Sequence, residues 1–137
     1  MKNLSRSEIY DVVVIGGGPS GLFVSNLLSK NGINTILIEK DSEIGKDVVC
    51  SGVISKEAFE RYRLPENSIV GTLQDAELHS PGGVNIPYTH PEEAVVVVDR
   101  HQFDGELGKI SAQNGTKFYS TPGSPLFRST KIMSMWK

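Results

Sequence analysis

The stretch Val12-Val13-Val14-Ile15-Gly16-Gly17-Gly18-Pro19-Ser20-Gly21 decides how this chain folds. Four β-branched residues in succession, with no polar alternation, predict a buried strand of a parallel sheet, read over Tyr10–Ile15 and ending in a glycine turn. From Pro19 to Asn31, Phe23, Val24, Leu27 and Leu28 fall at helical spacing, which predicts an amphipathic helix closed by Gly32. Thr35, Ile36, Leu37 and Ile38 make a second strand over Asn34–Glu39. Together these segments predict a β-α-β unit with a right-handed crossover.

Residues 16–21 fit G-x-G-x-x-G, a pattern that is weak alone and gains its meaning from its position. It follows a strand, opens a helix and precedes a second strand ending in Glu39, eighteen residues after Gly21. In that setting Gly16 permits the tight turn, Gly18 lets the backbone approach a pyrophosphate, and Gly21 lets the helix pack closely on the strand. The helix N-terminus, beginning at Pro19 and Ser20, offers unpaired N–H groups and a partial positive charge to an anion. Glu39 can accept hydrogen bonds from ribose hydroxyls, which favours FAD or NAD over NADP, whose 2′-phosphate would meet a carboxylate. The competing reading is a glycine-rich surface turn beside a solvated glutamate.

Composition narrows the alternatives. The 137 residues are 38% hydrophobic, with 14 Lys plus Arg against 16 Asp plus Glu and a formal net charge of −2, the profile of an ordinary globular chain long enough to bury a core. Its basic residues are scattered and form no run that could neutralise several phosphates, which argues against nucleic-acid binding. The single cysteine, Cys50, excludes a disulfide scaffold and a multi-cysteine zinc or iron–sulfur site. His79, His90 and His101 share no helical spacing and sit in no ligand pattern, so no metal site is expected. The uncharged stretch Val12 to Ser29 follows Lys2 and Arg6, yet its glycines and Pro19 would break a spanning helix, and Glu8 and Asp11 spoil a basic leader. A cytoplasmic chain is the expectation.

Beyond Asp41 a loop runs to Gly52 with Cys50 near its end. Ser55 caps an expected helix over Lys56–Tyr62 that Pro65 stops. Phe59 and Tyr62 read as helix packing. Val70–His79 and Val84–Tyr88 read as two strands joined at Ser80-Pro81-Gly82-Gly83, and Ala94–Val98 as a third, together an inserted antiparallel sheet in which Asp75 and Glu77 face solvent. Asp99 and Gln102 resemble a capping box before a helix through Asn114, marked by Phe103, Leu107 and Ile110 and weakened by Gly105 and Gly108. Lys117-Phe118-Tyr119 begins a further strand, and residues 121–137 show no clear period.

The string Gly16-Gly17-Gly18-Pro19-Ser20-Gly21-Leu22 resembles the N-terminal unit of the two-dinucleotide-binding-domain flavoproteins, and Glu39-Lys40 at the end of the second strand fits FAD in that superfamily. Val49-Cys50-Ser51-Gly52-Val53-Ile54-Ser55 looks like the Cys-x-Gly-x-x-Ser region of the geranylgeranyl reductase family, whose fold resembles p-hydroxybenzoate hydroxylase. Val98-Asp99-Arg100-His101-Gln102-Phe103-Asp104 is similar to that family's Val-x-Arg-x-x-Phe-Asp stretch. The resemblance extends from Asp11 to about Tyr119. It implies an α/β fold: a Rossmann-like FAD-binding β-α-β unit with an inserted small antiparallel sheet, incomplete relative to the family. Residues 1–120 would be the N-terminal part of the FAD-binding domain, 66–98 the inserted β segment, and 121–137 an irregular tail.

What the resemblance implies about chemistry is an FAD-dependent oxidoreductase that passes hydride from reduced flavin to isoprenoid double bonds. NAD(P)H or a reduced ferredoxin would be the electron donor, and a prenyl lipid the substrate, with peripheral membrane contact. The implied cofactor-binding residues are Gly16, Gly18, Pro19, Ser20, Gly21, Glu39, Lys40, Cys50, Gly52, Val53 and Arg100. Cys50 is the candidate catalytic residue beside the flavin, against the plain reading of a small buried hydrophobe, and Arg100 the candidate FAD contact, against that of a surface charge. Gly52 would allow close backbone approach to a flat ring. Rival readings within the superfamily are an aromatic-ring hydroxylase and a quinone-reducing flavoprotein. A rival of another class is a truncated, noncatalytic nucleotide-binding fragment, because no later Gly-Asp stretch follows Asn114.

Overall fold

In a computed structural model, which describes residues 9–120, the chain divides into two units, one made of residues up to Lys46 together with those from Asp104 onward, the other of Asp47–Phe103. The tail expectation for 121–137 lies outside the described residues.

The first unit is a parallel sheet covered by helices. β1 (Val12–Ile15) pairs in parallel with β2 (Thr35–Glu39), Val12 opposite Thr35, and β2 pairs in parallel with β8 (Lys117–Ser120), giving the order β1-β2-β8. Between β1 and β2 runs α1 (Pro19–Lys30), which ends at Asn31 with Gly32 in the left-handed region at φ +79°. That is the expected glycine stop, and Asn31 adds a side-chain bond to the Leu27 carbonyl at 2.8 Å. The core gathers Leu22 from α1, Ile36 and Leu37 from β2, and Leu107 from α3 (Arg100–Gln113), whose residues from Asp104 belong to this unit. Between α1 and α3 the seam is polar: Thr116 Oγ1 accepts from Ser111 Oγ at 2.7 Å and donates to the Ser25 carbonyl at 3.1 Å, with Ser29 Oγ 2.8 Å away. Asn114 closes the same seam by donating to Asn26 at 2.7 Å.

One expectation for this unit needs correcting. β1 was expected to be buried, yet Val12, Val13 and Val14 are half-buried and Ile15 is 51% exposed. The reason is its place in the sheet. β2 lies between two strands and buries Thr35, Ile36 and Leu37, whereas β1 has a strand on one side only among the described residues.

In the second unit β3 (Val53–Ser55) and β4 (Ile69–Leu73) flank β7 (Val95–Val98), both antiparallel to it. β5 (Asp75–His79) and β6 (Asn85–Thr89) form a separate two-stranded hairpin. The single inserted sheet is therefore two sheets, and Val70–His79 is two strands. Gln74 divides them, because its carbonyl accepts from the His90 amide at 2.9 Å and its side chain donates to the His90 carbonyl at 2.8 Å. Both hydrogen bonds take the chain out of the β4–β7 ladder and into the hairpin. α2 (Lys56–Arg61) starts where expected, with Ser55 Oγ accepting from the Ala58 amide at 3.2 Å. It stops at Tyr62, before Arg63 enters the left-handed region at φ +50°, ahead of Pro65. Phe59 is buried with its ring 6.4 Å from that of Phe103, while Tyr62 is half-exposed with the Arg61 guanidinium 5.7 Å over its ring. Asp99 Oδ1 accepts from the Gln102 amide at 2.9 Å and so caps α3 as its sequence suggested.

Candidate dinucleotide site

The glycine turn owes its shape to close backbone approach. Gly16 has φ +101°, a conformation that a side chain would strain, and a Cβ at Gly21 would collide with the Gly16 carbonyl. Helix α1 can therefore begin directly against the end of β1. Gly18 is its N-cap and brings no side-chain acceptor, and no acidic residue occupies the first turn. The first N–H groups of a helix lack intrahelical partners. Here nothing anionic from the first turn competes for them, and an added Cβ at Gly18 would meet open space.

Glu39 is built into the same turn from the far end of β2. Its Oε2 accepts from the Gly17 amide at 2.5 Å, and its Oε1 accepts from the amides of Lys40 at 2.7 Å and Asp41 at 3.0 Å. Three backbone donors fix the carboxylate beside the glycine turn. Gly17 is the residue that sequence reasoning missed: a Cβ there would stand 2.9 Å from Glu39 Oε2 and 2.5 Å from Ile44 Cδ1. The motif treats this position as variable, so the pattern alone gave no signal. Lys40 is turned outward and pairs with Asp41 at 3.0 Å.

Next to Glu39 lies a cavity of about 350 Å³, lined by Asp41, Ser42 and Ile44 after β2, by Gly108 and Ala112 of α3, and by Phe118 of β8. Its walls are mostly carbon, and Ser120 Oγ donates to the Asp41 carbonyl at one rim. A volume of this order is that of a small-ligand pocket. Ile44 and the cavity were not anticipated either, since they arise from the meeting of α3 and β8 with the loop after β2.

The remaining predicted residues lie in the other unit. Cys50 is exposed in the loop before β3, and Val53 opens β3 with its side chain half-exposed. Gly52 is buried at φ +70°, and a Cβ there would collide with the Val98 carbonyl. Its missing side chain is thus used by the β7 backbone, with the Val98 amide donating to the Gly52 carbonyl at 2.9 Å. Arg100 is half-buried at the first position of α3. Gly16, Gly18, Pro19, Ser20, Gly21, Glu39 and Lys40 belong to the first unit, where Glu39 meets the glycine turn, and Cys50, Gly52, Val53 and Arg100 belong to the second. Among the described residues no cluster of His, Cys, Asp and Glu could hold a metal, and no helix is long and apolar enough to cross a membrane.

Residues 9–63 match the family described as FAD binding domain. The digeranylgeranylglycerophospholipid reductase of Methanocaldococcus jannaschii is 38% identical over 113 residues, which is 81% of this chain and 28% of that protein. That of Methanococcus vannielii is 40% identical over 112 residues, 80% of this chain and 28% of its own length. Among solved structures, a geranylgeranyl bacteriochlorophyll reductase-like protein of Thermoplasma acidophilum superposes with a TM-score of 0.73 at 29% identity, covering 82% of this chain and 30% of that one. The chain thus spans a little over a quarter of the length of the curated relatives it matches.

Proposed function

We propose that this chain, related in sequence to the N-terminal part of the geranylgeranyl reductase family, binds FAD through its first unit and forms the FAD-binding portion of an isoprenoid-reducing flavoenzyme. The observation that carries the reading is Glu39, held by three amides at the edge of the turn that opens α1. A carboxylate so fixed accepts from two vicinal ribose hydroxyls without reorganising, while the first turn of α1 receives the pyrophosphate. The mostly carbon-walled cavity beside Glu39 has room for a flat base such as adenine. The residues present fit FAD.

When bound, FAD supplies hydride chemistry. The chain's own residues bind and orient: Gly16 and Gly21 shape the turn, Gly18 leaves the backbone open to the pyrophosphate, and Glu39 selects a ribose without a 2′-phosphate. Cys50, Gly52, Val53 and Arg100 belong to the proposal as the ring-facing and FAD-contacting residues, with Cys50 near the reacting atoms. The prenyl-lipid substrate, NAD(P)H or reduced ferredoxin as donor, peripheral membrane contact and a cytoplasmic location are likewise part of the reading. Saturation of a lipid alkene is the activity of a polypeptide of the relatives' full length, so the chain alone is expected to bind FAD without turnover.

Titration of the 137-residue chain with FAD, followed by quenching of flavin fluorescence, tests the reading. Glu39→Gln should weaken FAD about tenfold, since a charge-assisted hydrogen bond is replaced by a neutral one. An unchanged affinity in that variant, or no quenching by the native chain, sinks the FAD reading. Alkene saturation by the chain with chemically reduced FAD would instead overturn the noncatalytic part.

A further inference from the structure

Helix α3 carries a feature that its own stability opposes. Glycine is the least favourable residue in a helix interior after proline, yet Gly105 and Gly108 both lie inside Arg100–Gln113. Close approach of a neighbour is the usual reason for such a glycine. At Gly108 an added Cβ would stand 3.6 Å from Ile44 Cγ2 and 3.8 Å from Leu22 Cδ2, so that position faces packed side chains. At Gly105 it would meet nothing within 4 Å beyond its own stretch of helix, among the described residues. No protein neighbour there accounts for the missing side chain.

What Gly105 faces is the cavity beside Glu39, which it lines together with Gly108, Ile44 and Phe118. The position of that cavity narrows its occupant. A ribose whose hydroxyls reach Glu39 carries its base on the adjoining ring carbon, so the base must enter the space next to that carboxylate. The charges at the rim narrow it further. Glu39, Asp41 and Glu43 line the cavity, while Lys109 on the same wall is paired with Glu106 at 2.6 Å. A further anion is disfavoured there, whereas a flat, uncharged base is not. A helix backbone without a Cβ lets such a ring approach most closely.

We propose that Gly105 is a specificity-determining residue of this site. It keeps α3 bare so that the two-ring base of FAD lies against the helix, and a purine is thereby bound in preference to a pyrimidine, in a helix that is less stable for it. The inference rests on the reading of the first unit as an FAD site and adds the residue that sizes its base cavity.

The test reads affinity and stability on the same variants of the 137-residue chain. A glycine kept for a ligand moves the two in opposite directions when it is replaced, and a glycine kept for packing moves them together. In calorimetric titration the native chain should bind ADP about tenfold tighter than UDP, which carries the same ribose and diphosphate on a one-ring base, because the larger base buries more apolar area. Gly105→Leu should raise the urea unfolding midpoint, weaken FAD and ADP about tenfold, and bring ADP and UDP to within about twofold of each other. Gly105→Ala should raise the midpoint with a loss of FAD affinity of about threefold. A lowered midpoint in Gly105→Ala overturns the proposal, because packing would then explain the glycine. So does undiminished FAD affinity in both variants, or a native chain that binds ADP and UDP alike. If Gly105→Leu does not fold, Gly105→Ala decides. A native chain that takes up FAD, with variants that bind it equally well, loses this inference and keeps the FAD reading, whereas a native chain that takes up neither FAD nor ADP loses both.

Discussion

In β2, Thr35, Ile36 and Leu37 are buried against the helical layer, whereas in the β5–β6 hairpin Leu78, Ile86 and Tyr88 are 63%, 55% and 54% exposed. The two regions use the same residue chemistry, and both form regular ladders. Leu78 stands opposite Ile86 and Ala76 opposite Tyr88, so the hairpin has one apolar face, with Asp75, Glu77 and His79 on the other. What separates them is a second layer. β2 has helices to bury against, while no residue of the hairpin's two strands is buried. Strand propensity and a turn are enough to make a ladder, but stability comes from the layer laid on it.

The sharpest way to break this contrast is to truncate the same side chain on both sides of it. Leu37→Ala removes a fully buried leucine from the centre of the first unit and should destabilise it by about 3 kcal/mol, read from urea unfolding followed by circular dichroism. A loss below about 1 kcal/mol would mean that the β2 layer is not the core of this unit.

A smaller effect probes the site that β2 carries. Gly17→Ala puts a methyl group against Glu39 Oε2 and Ile44 Cδ1, and both must shift. FAD affinity should fall about tenfold by flavin fluorescence, with a stability loss of only about 1 kcal/mol, because the Ile44 side chain can yield. Unchanged affinity would show that the Gly17 latch does not set the position of Glu39.

How much of this could be read from the sequence depends on the range of the interaction. The turn from Gly16 to Gly21, helix α1 with its Gly32 stop and the parallel pairing of β1 with β2 were legible because each rests on neighbours in the chain. The caps Ser55 and Asp99 were legible for the same reason. β3 was not, since Val53–Ser55 is a strand only by virtue of pairing with Val95–Val97. The break at Gln74 depends on His90, sixteen residues on. The half-exposure of β1 depends on strand order, which periodicity does not encode. In the candidate site the spacing identified Glu39, but the Gly17 amide that fixes it and the cavity beside it come from tertiary approach.

Within the buried layer one residue works against stability. Among the described residues Ser25 Oγ on α1 is fully buried without a hydrogen-bond partner, although the Ser25 carbonyl is used by Thr116. Ser25→Ala removes a desolvated hydroxyl and raises helix propensity, so the unit should gain about 1 kcal/mol. A loss in thermal unfolding would mean that the hydroxyl finds a partner in the polar α1–α3 seam.

The smallest effect belongs to the hairpin. Leu78→Ala deletes a side chain that is mostly in water already and stands opposite Ile86 in the hairpin ladder, so stability should change by about 0.5 kcal/mol or less. The value lies in the ratio to Leu37→Ala, measured on the same chain in the same denaturant. If Leu78→Ala instead cost as much as Leu37→Ala, the apolar face of the hairpin would have to be covered in solution, and the contrast between a layered and an unlayered sheet would fail. Repeating the measurement at several chain concentrations separates the two ways of covering it, because a cost that grows with concentration requires a second copy, and one that does not requires the same chain.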